Sequence, residues 1–138
     1  MKRGFRTLFA IMIIFSLTGC KGKSDGDIRI DKGVSRKFSD EEIDSAIKVV
    51  KDNFSFSGSK LKVVSYDEAK SEDAIKDFME YGKGKDTHID PNNIIVLFSE
   101  FDVSGENPVL NKGEYKDYCW TLVRTDKDRE WKIEDQGY

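Results

Sequence analysis

Apolar residues recur at helical spacing through Ile43, Ala46, Ile47, Val50 and Phe54, while Glu41, Asp44, Lys48 and Asp52 fall on the other side. Ser39 to Phe54 therefore reads as an amphipathic helix. Its start is doubly signalled: Ser39 with Glu42 three residues on makes a capping box, and Phe38 can staple onto Ile43. Ser57-Gly58-Ser59 stops it, and Leu61 to Tyr66 has the β-branched and aromatic content of a strand. A second helix is expected from Ser71 as N-cap, with Glu72 and Asp73 in its positive first turn. Ala74, Ile75, Phe78, Met79 and Tyr81 give it an apolar side, and Gly82 and Gly84 end it. Asn93 to Phe101 is apolar on both faces, the pattern of a central strand.

Two further strands follow, Tyr115 to Thr125 and Glu130 to Gln136, joined by the turn Asp126-Lys127-Asp128-Arg129. With the preceding strand they form an antiparallel meander. Pairing Thr125 with Glu130 sets Arg124 against Trp131, Leu122 against Ile133 and Trp120 against Asp135, all sharing a face with Tyr118. Cys119, Thr121 and Val123 take the opposite face, against Lys132, Glu134 and Gln136. Both helices are expected to bury their stripes on the tryptophan face. Ile28 to Ile30 is a short edge segment, turned by Asp31-Lys32-Gly33. The fold class expected is α+β, a curved, mainly antiparallel sheet with two helices on one face.

The N-terminus has a different pattern: Lys2, Arg3 and Arg6, then an apolar run from Leu8 through Leu17, then small residues up to Cys20. A bilayer needs roughly 20 apolar residues, so the run suits a signal peptide rather than a permanent span. Leu17-Thr18-Gly19-Cys20 resembles the bacterial lipobox. That resemblance implies cleavage before Cys20, a thioether-linked diacylglycerol on its sulfur, palmitate among its chains, and a new amino terminus that is acylated or free. The expected organisation is a signal peptide over 1–19, a lipidated tether over 20–27 and one domain over 28–138. Localisation follows: the cell membrane, lipid-anchored, extracellular face.

Cleavage changes the charge. The whole chain has 23 basic and 26 acidic side chains, a net of -3, and the first 19 residues carry three basic and no acidic ones, so the remainder is at -6. Nucleic acid is disfavoured as a partner, because phosphate recognition needs a clustered positive surface. With Cys20 lipidated, Cys119 is the one remaining thiol, so no disulfide is available to the domain. It sits between Tyr118 and Trp120 with no basic neighbour to activate it and reads as a small hydrophobe.

The order helix, strand, helix, then three long antiparallel strands resembles the cystatin-like roll of the nuclear transport factor 2 (NTF2-like) superfamily. The run Ile95-Val96-Leu97-Phe98-Ser99, Trp120-Thr121-Leu122-Val123-Arg124 and the terminal Trp131-Lys132-Ile133-Glu134-Asp135-Gln136-Gly137-Tyr138 is similar to small Gram-positive, mainly clostridial, lipoproteins of unknown function. The resemblance spans about Phe38 to Tyr138. Tyr118 stands where that pattern suggests a second tryptophan. The superfamily's fold implies a curved sheet around a helix, often enclosing a pocket.

Candidate chemistry is sparse. His88 is the single histidine and lies in a charged loop, which disfavours a triad or a zinc site. Gly82-Lys83-Gly84-Lys85 lacks the spacing of a phosphate loop. Asp102 to Asn107 has alternating oxygen ligands but too few carboxylates for a calcium loop, and reads as a strand connection. No cofactor or metal is expected. Tyr66, Tyr118, Trp120, Arg124 and Asp135 are the candidate pocket, at the open end of an NTF2-like cone. The expected function is a non-enzymatic binding or interaction module meeting a small molecule or an envelope protein, also through the loop Asp102 to Gly113. The alternative is an NTF2-like enzyme with Asp135 or Asp67 as general base facing Tyr118 or Tyr66.

Overall fold

A computed structural model describes residues 27–138. The signal segment, Cys20 and the tether up to Gly26 lie outside the described residues. The elements run β1 (Arg29–Lys32), α1 (Asp40–Asn53), β2 (Ser59–Tyr66), α2 (Glu68–Glu80), two 3-10 turns (Lys83–Asp86 and Pro91–Asn93), β3 (Ile94–Val103), β4 (Gly113–Val123) and β5 (Lys132–Gly137). The fold is α+β: one open sheet in the order β1-β2-β3-β4-β5. β1 pairs parallel with β2 and the rest is antiparallel, so β3, β4 and β5 form the expected meander. The arrangement is consistent with an NTF2-like or cystatin-like roll. No helix among the described residues is long and apolar enough to cross a membrane.

α1 forms as its sequence dictates. Ser39 Oγ accepts from the Glu42 amide, and the Glu42 carboxylate accepts from the Ser39 amide. Ile43, Ala46, Ile47 and Val50 are buried against Leu61, Val64, Leu97, Phe101, Trp120 and Leu122.

The second helix is a correction. It starts at Glu68, one turn earlier than expected, because the Asp67 carboxylate accepts from the Lys70 amide and takes the capping role assigned to Ser71. Ser71 is instead buried inside the helix, and its Oγ accepts from the Val96 amide at 3.0 Å. The last β2 partner on that side of β3 is Ser65, opposite Phe98. Ser71 thus satisfies a central-strand N–H beyond the end of the ladder. Ser71→Ala is expected to cost about 1–3 kcal/mol, the penalty of an orphaned buried donor. Urea unfolding checks it, and a loss within about 0.5 kcal/mol of zero, as at a surface site, would remove this role.

The helices do not share a face. β3 divides its side chains: Ile95, Leu97 and Phe101 join the α1 core, while Ile94, Val96 and Phe98 pack with Ile75 and Phe78 of α2. α1 and α2 therefore cover opposite faces, and Cys119 and Val123, assigned above to an uncovered face, pack under α2. The physical reason is β3 itself: a strand apolar on both faces needs cover on both.

The β4–β5 register is also corrected. Leu122 opposes Ile133 as expected, but Thr121 opposes Asp135 and Trp120 opposes Gln136. A bulge at Glu134 adds one residue, and an added residue moves every later side chain to the other face. Thr125 and Glu130 do not extend the ladder, which ends at Val123 and Lys132. The Arg124 amide turns instead to the Asn93 carbonyl at 3.0 Å.

Candidate functional site

The space between α1 and the sheet is filled by rings. Trp120 is 1% exposed and lies between Phe54, Phe56 and Tyr118, with centroids 6.4, 6.0 and 5.6 Å away. Its Nε1 donates to the buried Ser99 Oγ at 2.9 Å. Phe101 packs on Phe54, Phe56, Tyr115 and Tyr118. Tyr66 is buried, with its hydroxyl 3.3 Å from Ser35 Oγ. Burial pushes the Tyr66 and Tyr118 hydroxyls above their ordinary range, which keeps both neutral.

Asp135 is separated from these rings. Paired with Thr121, it shares the α2 face and meets Lys83 Nζ at 3.0 Å, beside solvent. Asp67 is held by the amide it caps. Thus the structure brings Tyr118 and Trp120 into one aromatic core and puts Asp135 on the far side of the sheet. A carboxylate in a dry pocket facing a tyrosine hydroxyl is not assembled from either candidate pair.

Arg124 belongs to a different construction. Its side chain is 5% exposed, and Nη2 reaches Glu42 Oε1 at 2.8 Å. Nε donates to Asn93 Oδ1 at 3.3 Å and Nη1 to the Lys127 carbonyl at 3.1 Å. The guanidinium lies 4.3 Å from the Trp131 ring centroid and 5.8 Å from that of Phe38. Trp131 Nε1 in turn donates to the Glu42 carbonyl at 3.1 Å. Burial alone pushes the Glu42 carboxyl up, but the Ser39 amide and the Arg124 guanidinium together hold it below its ordinary value of 4.5. This network fastens the N-terminus of α1 to the β4–β5 turn.

The same arginine is part of the floor of a groove of about 950 Å3 at that end of the sheet. One wall comes from Ile89, Asp90 and Asn93, just before β3. The other comes from the turn, through Asp128, Arg129, Glu130 and Lys132, and Val123 adds apolar floor. His88 also lines it. Of the residues singled out from the sequence, only Arg124 and His88 line it. Asn93 and the turn were missed, and the one signal that pointed there is an arginine ending an apolar strand, which demands partners from elsewhere.

The loop from Asp102 to Gly113 is occupied with itself. Asn107 Oδ1 accepts from the Val109 and Leu110 amides, and its Nδ2 donates to the Ser57 carbonyl. The Gly58 carbonyl accepts from the Ser104 and Gly105 amides, and Asp102 pairs with Lys62 at 3.2 Å. Gly58 has φ +66°, and a Cβ there would lie 2.6 Å from the Gly105 backbone, so this contact requires glycine. Cys119 is half-buried, and burial followed by the Asp117 charge pushes its thiol up, away from reactivity.

The groove and Asp27 lie at opposite ends of the sheet. Asp27 precedes β1 and pairs with Lys60 at the start of β2, 3.3 Å away. β1 and β2 run parallel, and the start of β2 meets the end of β3, since Ser59 opposes Val103. The groove is built on the start of β3, about 33 Å away along ten residues at about 3.3 Å each. No family model, curated protein or solved structure matches this chain.

Proposed function

We propose that this chain is a lipoprotein held by Cys20 on the extracellular face of the cell membrane, and that its domain is a non-enzymatic binding module using the groove beside Arg124. The observation that carries the reading is the position of the groove at the end of the sheet remote from Asp27. A tether of seven residues, Lys21 to Asp27, reaches at most about 25 Å. It holds the β1 end near the bilayer and turns the groove towards the medium. Membership among the Gram-positive lipoproteins named above, and an NTF2-like ancestry, are part of this proposal. The binding reading is favoured over the enzymatic one because Asp135 and Tyr118 lie on opposite faces of the sheet. The ligand class considered is a small molecule, and an envelope protein is the rival outcome of a test.

Cys20→Ala is expected to move the protein from the membrane fraction to the soluble one, or to leave an uncleaved precursor. Fractionation and intact mass measure this, and unchanged partitioning with unchanged mass would remove the anchor. For the groove, amide NMR shifts under a fragment library should converge on residues 88–93 and 123–132. Shifts spread evenly over the surface would remove it.

A further inference from the structure

The loop between β3 and β4 is held in a fixed shape at the end of the sheet that carries Asp27. The Gly58 carbonyl accepts from its Ser104 and Gly105 amides, and the Asn107 side chain bonds Ser57 while capping the Val109 and Leu110 amides. Leu110 packs on the α1 core, and Pro108 and Val109 are left outside, Val109 being 85% exposed. A lone exposed valine needs no explanation, and Val34, 91% exposed just past the other end of β1, is one. Val109 differs in its place. Lys60, whose ammonium meets Asp27 at 3.3 Å, opposes Asp102 at the base of the loop. Seven residues, Lys21 to Asp27, reach at most about 25 Å from Cys20.

Charge selects the same end. Residues 27–138 hold 18 basic and 25 acidic side chains, a net of -7, which a surface of negative potential repels. Around the loop, however, Lys60, Lys62, Lys112 and Lys116 each lie within 3.8 Å of an acid, and these pairs leave no net charge there.

We propose that the β3–β4 loop seats the domain on the bilayer, with Pro108 and Val109 entering the headgroup boundary. This rests on the Cys20 anchor of the reading above. Two small apolar residues do not hold a free protein on a membrane, but the anchor makes the contact intramolecular, so a weak one suffices. With that end down, the groove faces the medium.

The test uses the full chain, purified with its anchor and reconstituted into vesicles of phosphatidylglycerol and phosphatidylcholine brominated on its acyl chains. Bromine quenches tryptophan at short range, and the parent, with Trp120 and Trp131 buried, gives the background. Val109→Trp and Val34→Trp place one ring at each end of the domain, and both carry the same preference of tryptophan for the interface. Burial of a side chain of this size favours the seated state about tenfold or more, so most of the added emission should be lost in Val109→Trp and little in Val34→Trp. Equal quenching of the two would mean that the domain has no preferred end on the membrane, which overturns the proposal. Vesicles that carry the protein without quenching either ring overturn the seat and leave the anchor in place. Protein that does not float with the vesicles overturns the anchor, and the seat with it.

Discussion

Replacing Arg124 with methionine should lower stability by about 3–5 kcal/mol, the usual cost of removing one partner of a buried ion pair. Methionine fills similar volume, so the loss comes chiefly from what remains. Glu42, 18% exposed in its side chain, loses its ion-pair partner and keeps only the Lys127 charge beside the Ser39 amide, and the Asn93 and Lys127 oxygens lose their donor. The stacking over Trp131 and Phe38 also goes. Against a total of about 5–15 kcal/mol for a domain, the melting temperature should fall by more than about 10 °C. Adding Glu42→Gln to Arg124→Met should recover part of this, because glutamine keeps the capping box and removes the stranded charge. No recovery in the double variant, or a loss below about 1 kcal/mol in the single one, would show that the pair is not a structural joint.

The pair also sets an acid limit. The folded Glu42 carboxyl lies below its ordinary value of 4.5, so the unfolded chain binds more protons between the two values. Its contribution is fully present above about 4.5 and is lost as pH falls through the folded value. Unfolding curves between pH 6 and 3 should show the parent losing stability over that interval. Arg124→Met should show a shallower slope, since only the Ser39 amide and the Lys127 charge still favour the charged form.

Trp120→Ala should cost about 3–5 kcal/mol, the range for emptying a large aromatic from a packed core. Phe54, Phe56, Phe101 and Tyr118 surround the position, and those rings come from the connection between α1 and β2, from β3 and from β4. Rings held by three segments cannot collapse together without moving the backbone. Trp120→Phe separates the terms: it keeps most of the apolar volume and drops the Nε1 donor to Ser99, so it should cost clearly less. Guanidinium unfolding followed by Trp131 fluorescence reads both variants. Equal losses would mean that the hydrogen bond, rather than the volume, is what the position supplies.

α1 was legible because every signal for it is local: a cap, a staple and a stripe between Phe38 and Phe54. The same holds for β3, whose doubly apolar run marked the centre of the sheet, and for the order of the meander, set by short connections. Ser71 misled because a serine followed by two acids resembles a cap, whereas Asp67 four residues earlier had an equal claim. Propensity cannot rank two competing caps. What decides is the unpaired Val96 amide, which belongs to a strand 25 residues away.

The sequence by itself determined the α+β class, the burial of Trp120 and Trp131, and the polarity of the exposed helix faces, because hydrophobic period and capping act between residues a turn or a pleat apart. Tertiary structure alone decided which face each helix covers and what surrounds Arg124. It also decided, through the single extra residue at Glu134, that Asp135 looks away from Tyr118. A bulge changes no residue type and no local propensity, yet it reverses the facing of all that follows. Arg124 gathers partners from α1, from the turn before β3 and from the β4–β5 turn, distances along the chain over which no pattern of polar and apolar residues carries information.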